Sequence, residues 1–251
     1  MISIPQQPQS VVEILETTGR IWASSFKSAF PFLLSMIVVL MARVAMVFVV
    51  NPNFALKPAN SPIVISPVDL ICSIILWILL LIIVPAMIYS IHKSVINYGA
   101  SFSAAFFMGC RKAFPLLLVC ILYSLIVLVG SIFLIIPGLI AAIYFLPSYF
   151  VVVVQDKGII ETLRYSANLV SGHWWRVAWL YALITTIFVM IISVIVFGLS
   201  FILFYLSFSQ TVVVGIVMCL SLIVSSFLTQ YLYAFGLAIL YDLEIRKSTS
   251  S

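Results

Sequence analysis

One formal charge lies well inside an apolar run: Arg43, about 10 Å from the Val50 end at helical rise. A guanidinium at that depth can hold an anionic headgroup or solute inside a polar cavity, or snorkel outward with its stem along the helix, and both readings are open. Gln230 and Thr229, with Ser221, Ser225 and Ser226, give the last apolar run a polar side. Tyr181, Thr185, Thr186 and Ser193 do the same for the run before it. Such groups usually bond between helices. His173-Trp174-Trp175-Arg176 puts an imidazole beside a guanidinium, with Asp156 and Glu161 nearby in sequence. No paired carboxylates, nucleophile with base, glycine-rich phosphate loop or metal-ligand spacing accompanies them, so the expectation is an interfacial anchor and not an enzyme. Asp69, after Ser66-Pro67-Val68, has the placing of a first-turn carboxylate behind a cap.

The elements that position these residues follow from composition. Of 251 residues, 65% are hydrophobic and 8% charged, with mean hydropathy +1.30. A water-soluble surface needs roughly 25% charged residues, so the solvent expected here is a bilayer. Six spans are predicted, from Phe30 to Val50, Val68 to Ile91, Phe114 to Ile136, Gly138 to Val154, Val177 to Gly198 and Val212 to Tyr241. The fold class is all-α and polytopic, one integral membrane domain over residues 1–251. The first 27 residues lack the form of a cleaved leader, because Glu13, Glu16 and Arg20 interrupt any apolar stretch. Cys72, Cys120 and Cys219 fall inside spans and Cys110 beside Arg111, with no disulfide framework or zinc spacing. No cofactor is expected.

A cation, a spacer, an alanine and an aromatic residue recur at three span entrances, each followed by leucine four residues on. The copies are Lys27-Ser28-Ala29-Phe30 with Leu34, Arg111-Lys112-Ala113-Phe114 with Leu118, and Arg176-Val177-Ala178-Trp179 with Leu183. Three hairpins in units of about 10–92, 99–155 and 158–247 are the expected internal repeat. Each hairpin is predicted to follow an interfacial amphipathic helix that turns into the membrane at the motif. In the first, Ser10-Val11-Val12-Glu13 has the form of a capping box, and Val11, Leu15, Trp22 and Phe26 oppose Glu13, Glu16, Thr17, Arg20, Ser24 and Lys27. The second runs from about Ser101 to Arg111 with Phe102 and Phe106 on one side. In the third, Ile160, Leu163, Ala167 and Val170 oppose Glu161, Arg164, Asn168 and Ser171. Lys27, Arg111 and Arg176 are the candidate contacts to lipid headgroups.

Charge sets the expected topology. Arg20, Lys27, Lys93, Arg111, Lys112, Lys157, Arg164, Arg176, Arg246 and Lys247 alternate with nearly cation-free connections, of which only Asn51 to Pro67 holds one, Lys57. Both termini are therefore expected in the cytoplasm. The net charge of +5 is spread over membrane entrances, so membrane lipids and not nucleic acid are the expected partners.

The segments Ile135-Ile136-Pro137-Gly138-Leu139-Ile140, Val153-Val154-Gln155-Asp156-Lys157-Gly158 and Leu163-Arg164-Tyr165-Ser166 carry a family pattern: a Pro-Gly break, an apolar span, a Val-Gln-Asp-Lys turn and an arginine-containing helix. Over about 45 residues the chain resembles the YciC-like family of bacterial inner-membrane proteins, and more weakly over its spans in general. It is also distantly similar to the membrane domains that precede some glycerophosphodiester phosphodiesterases, whose catalysis resides in a separate soluble domain. The resemblance implies an inner-membrane protein with no catalytic residue to carry over. The connection between spans one and two is short for that pattern. A lipid-interacting or scaffolding role in envelope maintenance is the leading expectation, and a small-solute transporter or channel the alternative.

Overall fold

The computed structural model describes residues 7–50, 67–96 and 99–250. Among them are eight helices: α1 (Val11–Val50), α2 (Pro67–Val95), α3 (Phe102–Phe133), α4 (Ile135–Phe145), α5 (Ser148–Val154), α6 (Ile159–Val170), α7 (Trp174–Tyr205) and α8 (Gln210–Ser250). The class is all-α, as expected, and six stretches are long and apolar enough to cross a membrane: Val11–Met46, Leu70–Val95, Phe102–Ile132, Ile135–Val154, Trp174–Tyr205 and Val212–Thr249. Ser66 and Lys57, used above for capping and topology, lie outside the described residues, as does the side chain of Asp69.

The chain gathers into two compact units whose bounds differ from those of the three predicted hairpins. One comprises Met1–Phe32, Leu81–Leu183 and Gln230–Ser251; the other, Leu33–Leu80 and Ile184–Thr229.

The first unit is built around the end of α8. Residues 234–243 are buried without a gap, so this helix is enclosed on every side. Ala-Phe-Gly-Leu-Ala-Ile-Leu-Tyr suits that position, because it carries no charge before Asp242. Five helices supply the walls. Trp22 of α1 meets Tyr231 at 6.3 Å between ring centroids, and Tyr181 of α7 meets Phe235 edge-on at 5.4 Å. His92 Nδ1 of α2 lies 2.6 Å from the Tyr241 hydroxyl, and Tyr165 of α6 donates to Glu244 at 3.1 Å. On the α5 side, Gly236 leaves room for the Phe150 ring, whose Cζ would lie 2.0 Å from any added Cβ.

Ser10 and Glu13 form the capping box: the Ser10 amide donates to Glu13 Oε2 at 2.6 Å and the Glu13 amide to Ser10 Oγ at 3.3 Å. From there α1 departs from expectation. It continues unbroken through Lys27-Ser28-Ala29-Phe30 to Val50. Its packed face is Ile14, Thr18, Ile21, Ser25 and Ala29, while Val11 is exposed and Leu15 half-buried. The buried face therefore includes two hydroxyl residues that the apolar count passes over. Thr18 and Ser25 can be enclosed because their hydroxyls donate to the carbonyls of Ile14 at 2.7 Å and Trp22 at 3.2 Å. Likewise α3 runs unbroken through Arg111-Lys112-Ala113-Phe114. Among the described residues only the third predicted hairpin, 158–247, has a separate amphipathic helix, α6, on which Leu163, Ser166, Leu169 and Val170 are buried while Ile160 is 71% exposed. Gly172, at φ +89°, makes the turn from α6 into α7.

The α3–α4 break falls at Leu134, which is extended at φ −164° and ψ 147°. Pro137 and Gly138 lie inside the first turn of α4, where proline is tolerated. Gly138 is where α4 touches α3: an added Cβ would lie 2.1 Å from Ser131 Oγ and 2.9 Å from Ser131 N. Pro147 separates α4 from α5, and hydroxyls meet the carbonyls beside it. Ser166 of α6 donates to Tyr144 at 3.0 Å and Ser148 to Phe145 at 2.5 Å.

In the second unit Arg43, with Val39 and Leu40 of α1, lines a small groove against Ser73, Leu76, Trp77 and Leu80 of α2. The α7–α8 turn is closed by Phe208 N donating to Leu203 O at 3.3 Å and Ser207 N to Phe204 O at 3.0 Å, with Ser207 in the left-handed region at φ 60°.

Candidate functional site

The polar residues of the first unit form a collar at the charged end of α8. Asp242, 2% exposed, is its centre. Its carboxylate accepts from Gln9 N at 2.8 Å, Arg176 Nε at 3.3 Å and Arg246 Nε at 2.9 Å. The Gln9 carbonyl in turn accepts from Arg246 Nη2 at 2.7 Å and from Arg176 Nη2. A buried carboxylate requires such compensation, and here two guanidinium groups and one amide supply it. The cluster thereby ties the segment before α1 to α7 and α8.

Beside it, Glu244 accepts from Gln155 Nε2 at 2.5 Å and from the Tyr165 hydroxyl at 3.1 Å. Lys157 lies 3.9 Å from the centroid of the Tyr165 ring and 3.6 Å from the Glu161 carboxylate. The Val-Gln-Asp-Lys turn of the sequence thus forms part of the collar. Its Asp156 accepts from Lys112 Nζ at 2.6 Å. That hydrogen bond, then the charges of Lys112 and Arg111, hold the Asp156 carboxyl below the usual carboxylate range.

The three motif cations have different surroundings. Lys27 is exposed. Arg111 has a side chain 62% exposed, with Nη2 3.9 Å from Asp156 Oδ2. Arg176 is 23% exposed and engaged with Asp242. The aromatic partners Phe30, Phe114 and Trp179 are all exposed. Lys112, the spacer of the second copy, is buried.

Arg43 lies in the second unit, in the groove described above. Gln230 is fully buried, and neither its amide oxygen nor its nitrogen has a hydrogen-bond partner among the described residues. Ser225, Ser226 and Thr229 donate to carbonyls of their own helix at 2.7–3.0 Å. Trp174 of the His-Trp-Trp-Arg run donates to Ile140 O at 3.3 Å, and Trp175 is exposed.

The residues that sequence reasoning missed are Asp242, Glu244, His92 and Gln9. The available signal was the i, i+4 spacing of Asp242 and Arg246, a carboxylate and a guanidinium just past the last apolar run.

Comparisons with protein-family models, curated proteins and solved structures found no match to this chain.

Proposed function

We propose that the chain is a non-enzymatic multi-pass protein of the bacterial inner membrane that acts on the bilayer through acidic lipids, with both termini in the cytoplasm. The observation that supports this most is the pairing of an exposed cation with an exposed aromatic ring at the starts of two apolar runs, Lys27 with Phe30 and Arg111 with Phe114. A cation at that level attracts lipid phosphate by about 1 kcal/mol, and the ring favours the membrane boundary. The resemblance to the YciC-like family agrees with this location. A scaffolding role in the envelope would use the same surface.

The test is lipid enrichment around the protein in nanodiscs of mixed zwitterionic and acidic phospholipid. The natural chain is expected to enrich acidic lipid, and Lys27→Gln with Arg111→Gln to lose most of that enrichment; equal enrichment would overturn the proposal.

A second reading, a small-anion transporter or channel, has one observation in its favour: Arg43 and Ser73 line the same groove. It predicts anion flux in proteoliposomes that Arg43→Ala reduces, and unchanged flux would remove Arg43 from any path.

A further inference from the structure

From Leu125 to Ile143 the sequence has one polar side chain, Ser131. Its hydroxyl is turned back onto its own helix, donating to Val127 O at 2.8 Å. This stretch contains the whole α3–α4 turn, and the turn is not covered by protein: Leu134, Ile135 and Ile136 are 66%, 82% and 69% exposed. The other tight hairpin turn, between α7 and α8, reads Leu206-Ser207-Phe208-Ser209-Gln210, with two hydroxyls and an amide.

Length separates the two hairpins as well. From the motif aromatic to the helix end, α3 runs from Phe114 to Phe133, about 29 Å at helical rise. The same stretch of α7, from Trp179 to Tyr205, is about 39 Å. A hydrocarbon core is about 30 Å thick, and an ordinary tilt of about 20° shortens the reach of α3 further. Counted from its own motif aromatic, the α7 run exceeds that thickness and the α3 run does not.

In a dry setting each backbone polar group needs an internal partner; two amides of this turn have one, and the first turn of α4 carries no side-chain cap. The Leu134 amide donates to Gly130 O at 3.2 Å and the Gly138 amide to Leu134 O at 3.5 Å. Pro137 has no amide to satisfy. Gly138 brings the two helices into backbone contact, its added Cβ meeting Ser131 N at 2.9 Å, which leaves little room between them for water.

We propose that the α3–α4 turn ends inside the hydrocarbon of the far leaflet, with Leu134, Ile135 and Ile136 against lipid acyl chains. The occupant of this surface is lipid, because the apolar stretch is continuous around the turn and, with Phe114 at the membrane boundary, no longer than the hydrocarbon is thick. The inference rests on the membrane reading above and gives it a second contact, with acyl chains in place of headgroups.

The experiment is nitroxide accessibility in liposomes. Ile135→Cys, Ser209→Cys and Val194→Cys are each labelled in the full chain after replacement of its four cysteines. Collisions with oxygen and with a water-soluble nickel chelate are then compared. At Ile135 the oxygen-to-nickel ratio is expected to be several-fold above that at Ser209 and near that at Val194, an exposed residue in the middle of α7. High nickel collision at Ile135 with low collision at Val194 would overturn the embedded turn and leave the membrane reading standing. High nickel collision at both would overturn the two together. Low collision with both reagents at Ile135 would mean that protein, a second copy for instance, covers the turn, which also overturns the proposal. A readout that keeps the natural cysteines is Ile135→Lys: it is expected to lower membrane-inserted protein several-fold where Ser209→Lys does not, and equal insertion would count against the proposal.

Discussion

At the entrance to α3, Arg111 extends from the protein, 62% exposed, with its nearest carboxylate contact at 3.9 Å. At the entrance to α7, Arg176 occupies the same place in the same motif, yet it is folded onto a carboxylate that is 2% exposed. The same local pattern surrounds both cations. What else surrounds each decides whether the cation stays available or becomes an internal strut. The difference arises on α8, which brings Asp242 to α7 and no carboxylate to α3, whose cations meet the exposed Asp156 instead.

The largest effect expected from this contrast is on stability. Asp242→Ala leaves Arg176 and Arg246 without their carboxylate and is expected to cost about 3 kcal/mol or more. Arg111→Ala, at an exposed pair, should cost under about 1 kcal/mol. Unfolding in detergent, followed by helical circular dichroism, measures both; similar losses would erase the distinction between the two entrances.

The next effect is on lipid. Each exposed motif cation contributes about 1 kcal/mol near an acidic surface, or roughly fivefold in binding. Lys27→Gln and Arg111→Gln should each weaken retention of acidic phospholipid by about that factor, read by competition with zwitterionic lipid. Neutralising Arg176 and Asp242 together, by Arg176→Gln with Asp242→Asn, should leave retention nearly unchanged.

The smallest effect is a pH dependence at the α3 entrance. The folded-state pKa of Asp156 is depressed, so the native state favours the ionised form. Its contribution is therefore full above the unfolded carboxylate value, about 3.9, and is lost as pH falls through the lower folded value. Asp156→Asn should lower stability slightly at neutral pH, where the contribution is full, and flatten the acid limb so that the two proteins converge below about pH 4. An Asn variant with an unchanged acid limb would show that the Lys112–Asp156 pair contributes nothing.

Much of this architecture was legible because its main signal is local. Six apolar runs became six helical stretches, since the length of an apolar run and its lack of charge determine whether it can span. Edges were less legible. The sequence placed a break at Ile136-Pro137-Gly138, but proline is acceptable in a first helical turn, so α4 begins before it and the extended residue is Leu134. The faces of α1 misled for a related reason: Thr18 and Ser25 count as polar in a helical wheel, yet their hydroxyls bond to their own helix and they pack inward. Arg176 could not be separated from Lys27 and Arg111 by any local pattern, because its partner is 66 residues away. Likewise nothing near Gln9 in sequence marks its backbone as the strap held by α7 and α8.

The most direct test of the account is native mass spectrometry on three forms of the full chain released from its own membrane: natural, Lys27→Gln with Arg111→Gln, and Arg176→Gln with Asp242→Asn. The expected result is bound acidic phospholipid on the first and third forms and its loss from the second. Equal adducts on the first two forms, or loss confined to the third, would contradict the assignment of the exposed entrances to lipid and of Arg176 to the protein's own collar.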